Sequence, residues 1–202
     1  MTKIKLCGLS RPCDIEWANE LHPDFVGFVF AHRSKRFVSR ERAAELRALL
    51  SSQIKAVGVF VDEETERVAQ LLNDSVIDVA QLHGHEDERY IARLRHLSGR
   101  PIVQAFRVKT ADDAKHAQDS AADLILLDSG AGTGTAFDWS LIRGVTREYL
   151  LAGGLTCENV ADAIRSLRPW GVDVSSGIET NGLKDREKMA AFVAAVRKEG
   201  AQ

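Results

Sequence analysis

Cys7 closes the apolar run Ile4-Lys5-Leu6-Cys7 immediately before Gly8, and Asp128 closes Leu124-Ile125-Leu126-Leu127-Asp128 immediately before a glycine-rich stretch. A thiol in such a place is a candidate base or nucleophile, and a carboxyl a candidate acid. An ordinary thiol, with a pKa of about 8.5, supplies a few per cent thiolate at neutral pH. A carboxyl that follows a run of aliphatic residues is partly desolvated, which disfavours the charged form and keeps a proton available. Each residue also has a plainer explanation. Free cysteine is among the most buried residue types, and aspartate commonly caps a helix or braces a loop. As a pair they read as two groups whose environments tune them apart for acid–base chemistry. Cys13 and Cys157 are expected in helices beyond the strand ends and are assigned no chemistry.

The next candidates follow other apolar runs. Gly130-Ala131-Gly132-Thr133-Gly134, Gly153-Gly154 and Ser175-Ser176-Gly177 each come after a predicted strand. None is a dinucleotide fingerprint or a P-loop, since Thr135 stands where the last glycine of G-x-G-x-x-G belongs and no Gly-Lys-Ser/Thr follows. They are either tight turns or a place where backbone N–H groups approach a phosphate. Arg36, in Ser34-Lys35-Arg36-Phe37-Val38, is either a solvated surface cation or a planar fork for a carboxylate; Arg107 carries the same ambiguity. His83 and His85 form an H-x-H pair whose rings would share a face on a strand. With no third ligand cluster, the spacing favours a neutral His83 lining a pocket over a metal site.

The elements that must position these groups are legible as apolar runs. They are Ile4 to Cys7, Phe25 to Phe30, Ile54 to Val61, Val76 to Leu82, Ile102 to Val108, Leu124 to Leu127, Tyr149 to Ala152 and Val172 to Val174. Nearly continuous hydrophobicity fits strands buried on both faces of a parallel sheet. Helical stripes lie between them: Leu46, Leu49 and Leu50 after Ser39 as N-cap, and Val68, Leu71 and Leu72 after Asp62. Ile91, Leu94 and Leu97 form another, Val160, Ala163, Ile164 and Leu167 follow Thr156, and Met189, Phe192, Val193 and Val196 make the last. Thr110 with Asp113 resembles a capping box, and Asp138 to Gly144 is short for a helix. Strict strand–helix alternation predicts an α/β fold, a closed (βα)8 barrel of TIM type forming a single domain over residues 1–202. In that architecture the strand ends converge, so Cys7 and Asp128 would face each other across one pocket.

The totals agree with a small enzyme and exclude other classes. Net charge is -2 and the isoelectric point about 6.3, without the basic excess of a nucleic-acid binder. No apolar run is long enough to span a bilayer, and no signal-peptide pattern opens the sequence. Three widely spaced cysteines do not form a disulfide framework, so the reducing cytoplasm is the expected compartment.

Taken in order, the motifs resemble the phosphoribosylanthranilate isomerase family. The residues that carry the resemblance are Lys5-Leu6-Cys7-Gly8-Leu9, Ser34-Lys35-Arg36, Gln81-Leu82-His83-Gly84 and Leu127-Asp128. They continue with Gly132-Thr133-Gly134, Phe137-Asp138-Trp139, Gly153-Gly154-Leu155 and Asp173-Val174-Ser175-Ser176-Gly177-Ile178-Glu179. The resemblance implies an isomerase of tryptophan biosynthesis that needs no cofactor and no metal. Cys7 would be the general base and Asp128 the general acid; Arg36 would hold the anthranilate carboxylate, with His83 lining the substrate pocket. Gly132, Gly134, Gly153, Gly154, Ser175, Ser176 and Gly177 would hold the phosphate. One departure is visible: Ala131 stands where the family often has a glycine. The family contains monomers and homodimers, so either state is compatible. The sister aminoaldose isomerase of histidine biosynthesis uses aspartates closing strands 1 and 5, which this chain lacks. A non-catalytic phospholigand-binding barrel would leave Cys7 and Asp128 without roles.

Overall fold

The strands β1 (Lys3–Cys7), β2 (Phe25–Val29), β3 (Lys55–Phe60), β4 (Val79–Leu82), β5 (Ile102–Arg107), β6 (Leu124–Asp128), β7 (Tyr149–Ala152) and β8 (Gly171–Val174) close into a parallel barrel in chain order. The seam is β1 against β8, with Lys5 opposite Asp173 in register. This is a computed structural model, and it describes residues 1–128 and 138–199. The helices among them are α1 (Pro12–Leu21), α2 (Arg40–Leu49), α3 (Thr65–Asn73), α4 (Glu88–Leu97), α5 (Ala111–Gln118), α6 (Val160–Leu167) and α7 (Arg186–Glu199). A 3-10 turn, Trp139–Ile142, precedes β7. Beyond β8 a second 3-10 turn, Ser176–Ile178, leads into a small hairpin of β9 (Glu179–Thr180) and β10 (Leu183–Lys184).

The strands read as unbroken apolar runs because they are buried twice. One set of side chains, including Leu6, Val26, Phe28, Ala80 and Ile125, meets the helices in the main core. The alternate set, Val57, Val79, Val103, Leu126 and Leu150, fills the barrel as a separate cluster. Above it lie Cys7, Val29 and Val59, the next lumen positions toward the strand ends. Period two along a strand therefore carries a residue from barrel filling to pocket wall in one step.

Some helix signals hold and others fail for local reasons. Ser39 Oγ accepts from Arg42 N, and Thr110 with Asp113 forms a reciprocal capping box. Asp62 does not cap α3. It adopts φ 52° and accepts from the His85 backbone N–H at 2.6 Å, so the helix starts later, after Glu64. Thr156 likewise lies upstream of its helix: Asn159 Oδ1 accepts from Thr156 N, and α6 begins at Val160. Cys157 is therefore in a turn and not in a helix. Leu49 is 51% exposed because α2 buries the line Ala43, Leu46 and Leu50 instead. Val76 and Ile77 belong to the turn closing α3, where both N–H groups donate to Leu71 O, and β4 starts only at Val79.

Candidate active site

Cys7 ends β1 and is 7% exposed, with its sulfur toward the barrel mouth. Gly8, at φ +81°, turns the chain sharply away, and a Cβ there would stand 2.4 Å from Arg36 Cδ. Only glycine permits both the left-handed backbone and the close passage of the arginine. Ser175 Oγ donates to the Cys7 carbonyl at 3.0 Å and ties the end of β8 to that of β1.

Arg36 lies across this end of the barrel, fixed by a bidentate pair. Its Nε and Nη2 donate to Glu179 Oε1 and Oε2 at 2.6 and 2.8 Å. Glu179 comes from the hairpin, and so does Lys184, whose ammonium donates to Glu179 Oε1 at 2.6 Å and to the Ser175 carbonyl at 2.9 Å. Burial alone would raise the Glu179 carboxyl, but hydrogen bonds from Arg36 and Lys184 outweigh it and hold it below the usual range. Burial pulls Lys184 down despite Glu179. Two cations thus share one carboxylate, leaving positive potential beside the pocket.

Beneath Cys7, Lys5 and Asp173 form an ion pair at 2.9 Å inside the barrel. Burial would lower Lys5, but the attractions of Asp173 and then Cys7 raise it. The Cys7 thiol is pushed up by burial, with Lys5 the strongest opposing influence.

Across the mouth, Asp128 ends β6 with its side chain 23% exposed. His83 Nε2 stands 3.4 Å from Asp128 Oδ2, and the Gln81 amide donates to His83 Nδ1 at 3.1 Å. His85 diverges: its side chain is 94% exposed and pairs with Asp62, so the two rings do not share a face.

One cavity of about 290 Å³ joins these groups. Cys7, Arg36, His83, Arg107 and Asp128 line it, as do Gly153, Gly154, Ser175 and Ser176. Gly177 underlies the last group, where a Cβ would fall 1.9 Å from the Leu155 carbonyl oxygen; the loops after β7 and β8 are in direct contact. Gly132 and Gly134, expected in the phosphate site, lie outside the described residues. The volume suits one small molecule. A guanidinium, a thiol, a carboxyl and small residues from the ends of β7 and β8 thus line one cavity. Sequence reasoning assigned no role to Lys5, Asp173, Glu179, Lys184 or Gln81. A lysine inside an apolar strand run was the one local signal, since such a position is ordinarily aliphatic.

The chain matches the family model described as N-(5'phosphoribosyl)anthranilate (PRA) isomerase over residues 4–195. It is 42% identical over 202 residues to the N-(5'-phosphoribosyl)anthranilate isomerase of Endomicrobium trichonymphae, covering 98% of this chain and 99% of the relative. Against the protein of the same name from Clostridium kluyveri it is 44% identical over 200 residues, covering 98% of each. The crystal structure of phosphoribosyl anthranilate isomerase from Thermotoga maritima superposes with a TM-score of 0.90 at 35% identity, over 98% of this chain and 100% of that one. A phosphoribosyl anthranilate isomerase solved with reduced 1-(o-carboxyphenylamino)-1-deoxyribulose 5-phosphate gives 0.88 at 35% identity, with the same coverage.

Proposed function

Since this chain belongs to the N-(5'-phosphoribosyl)anthranilate isomerase family, we propose that it performs the family's reaction in tryptophan biosynthesis. The reaction is the Amadori rearrangement of N-(5-phosphoribosyl)anthranilate to 1-(2-carboxyphenylamino)-1-deoxyribulose 5-phosphate. The observation that carries the reading is the shared cavity: Cys7 and Asp128 line it together with Arg36 and the edge formed by Gly153, Gly154, Ser175 and Ser176.

The proposed steps use only proton transfers. Protonated Asp128 gives its proton to the furanose ring oxygen as the C1′–O4′ bond breaks, opening the ring to a Schiff base. Cys7, as thiolate, takes the proton from C2′, and the electrons of that bond form the enolamine, which tautomerises to the aminoketone. Each transfer by a well-placed group is worth about 10²–10⁴-fold. Arg36 binds the anthranilate carboxylate, and Gly153, Gly154, Ser175, Ser176 and Gly177 hold the phosphate, with Gly132 and Gly134 proposed as further contributors. Anchoring both anionic ends away from the reacting carbons fixes orientation without crowding them. His83 contacts the reacting end beside Asp128. No metal or organic cofactor enters the scheme.

We place this activity in the cytoplasm, in a chain acting as one unit over residues 1–202, either as a monomer or as a homodimer. A Thermotoga maritima relative is described as dimeric, and sedimentation at several concentrations decides between the two states. Among the described residues, no helix is long and apolar enough to cross a membrane. The function itself is tested by complementation: expression in a tryptophan auxotroph lacking this isomerase restores growth. Failure of the folded, expressed protein to do so rejects the reading.

A further inference from the structure

Two buried charges sit where a barrel of this kind is ordinarily filled by branched aliphatic residues. Lys5 is 0% exposed and Asp173 is 9% exposed. They are register partners across the β1–β8 seam, and Lys5 Nζ meets Asp173 Oδ1 at 2.9 Å. Stability does not account for such a pair. Desolvating two ions costs about as much as their attraction returns, and apolar replacements of similar volume are often neutral or better. What marks the location is its neighbour. Cys7 lies two residues further along β1, on the same face, and both Asp173 and Cys7 line the cavity.

We propose that Lys5 is a positioning residue for the base: its ammonium, held upright by Asp173, stands beneath the Cys7 sulfur and stabilises the thiolate. This deepens the reading of Cys7 as general base and rests on it. An ammonium has three N–H donors, and Lys5 spends one on Asp173. A second is available to the sulfur two residues along the same face of β1, to which the ammonium is electrostatically attracted. The thiolate is then the second anion of a cation bridging two anions. On ionising, Cys7 gives its proton to solvent; during turnover the sulfur forms an S–H bond as the C2′–H bond breaks.

The other charges facing Cys7 divide between helping and opposing. Asp173, from β8, disfavours the thiolate, while Lys184, from β10, favours it less strongly than Lys5 does. Arg36 approaches from the loop after β2 and is attracted to the sulfur. Both Lys184 and Arg36 are committed to Glu179, which screens them. Arg107, His83 and Asp128 line the same cavity from β5, the end of β4 and β6. Lys5 is therefore the cation best placed to offset the burial of the sulfur.

The test titrates the thiol directly, by ultraviolet thiolate absorbance and by the rate of iodoacetamide alkylation, in a Cys13→Ser/Cys157→Ser background. Lys5→Met should move the Cys7 midpoint up by about one pH unit, or roughly tenfold less thiolate at a given pH, with the acid limb of kcat moving alongside. Lys5→Arg should stay near the parent. Lys5→Met/Asp173→Asn removes both charges, guards against misfolding of the single variant, and should still titrate high. An unchanged midpoint in Lys5→Met overturns the proposal. So does a return to the parent midpoint in the double variant, which would mean that Lys5 merely screens Asp173. A raised midpoint with an unmoved acid limb instead refutes Cys7 as the base and leaves the coupling to Lys5 standing.

Discussion

The sharpest consequence of the site concerns Arg36. Two of its N–H donors, on Nε and Nη2, are engaged by Glu179, whereas a guanidinium carries five in all. Among the described residues the Nη1 edge has no hydrogen-bond partner, so the end-on fork is left to a second carboxylate. Glu179 therefore orients Arg36 and does not occupy the edge a substrate would use. Hydrogen bonds between a charged donor and a carboxylate contribute about 1.5–3 kcal/mol, and about 1.4 kcal/mol is tenfold in binding. Arg36→Ala should weaken substrate binding by about 10- to 150-fold on that basis. The lower half of this interval is expected, because Glu179 remains paired with Lys184 at 2.6 Å and adds little repulsion once Arg36 is gone. Steady-state kinetics should show the loss in KM, with kcat within a few-fold of the parent, since the carboxylate is remote from the carbons that react. Calorimetry with the reduced product analogue checks that KM is reporting affinity. Unchanged KM and unchanged analogue binding would remove Arg36 from the site, and a collapse of kcat alone would mean that it acts on the chemistry.

Cys7→Ala and Asp128→Asn should each lower kcat by about 10²–10⁴-fold while binding of the product analogue changes little, because both anion-anchoring ends remain; near-parental turnover in either variant removes that residue from the mechanism. Glu179 gives an acid-stability signature. Its folded carboxyl lies below the ordinary value, so its contribution to stability is fully present above the unfolded pKa of about 4.3 and is lost as pH falls through the lower folded pKa. Urea midpoints of the parent and Glu179→Gln should thus differ near neutrality and converge in acid; a gap that stays constant with pH would show that Glu179 contributes through packing and not through charge.

The parts of this molecule legible in its sequence are those decided within a short stretch of chain. Runs such as Leu124-Ile125-Leu126-Leu127 announce strands buried on both sides, and chain-order closure brings Cys7 and Asp128 to one mouth without knowledge of any contact between them. Ser39 and Thr110 cap helices because their partners are three residues away. Asp62 and Thr156 looked the same locally, yet each was claimed by a competitor: the left-handed turn beside His85 in one case, the side chain of Asn159 in the other. Beyond the lysine inside an apolar run, the network that tunes the site was not legible. Arg36 meets Glu179 across 143 residues and Lys5 meets Asp173 across 168, and both pairs exist only because the last strand closes against the first. Residue type named the candidate groups, but the groups that set the charge around Cys7 are recruited by barrel closure. A closed barrel turns its two chain ends into adjacent walls, and β1, β8 and the hairpin that follows carry Lys5, Asp173, Glu179 and Lys184. The electrostatic control of Cys7 is therefore concentrated at the seam, whereas Asp128, on β6 two strands away from β8, faces His83, which Gln81 contacts in turn. The two halves of the proposed acid–base pair thus face separate sets of residues inside a single small cavity, Lys5, Asp173 and Lys184 around Cys7 and His83 beside Asp128.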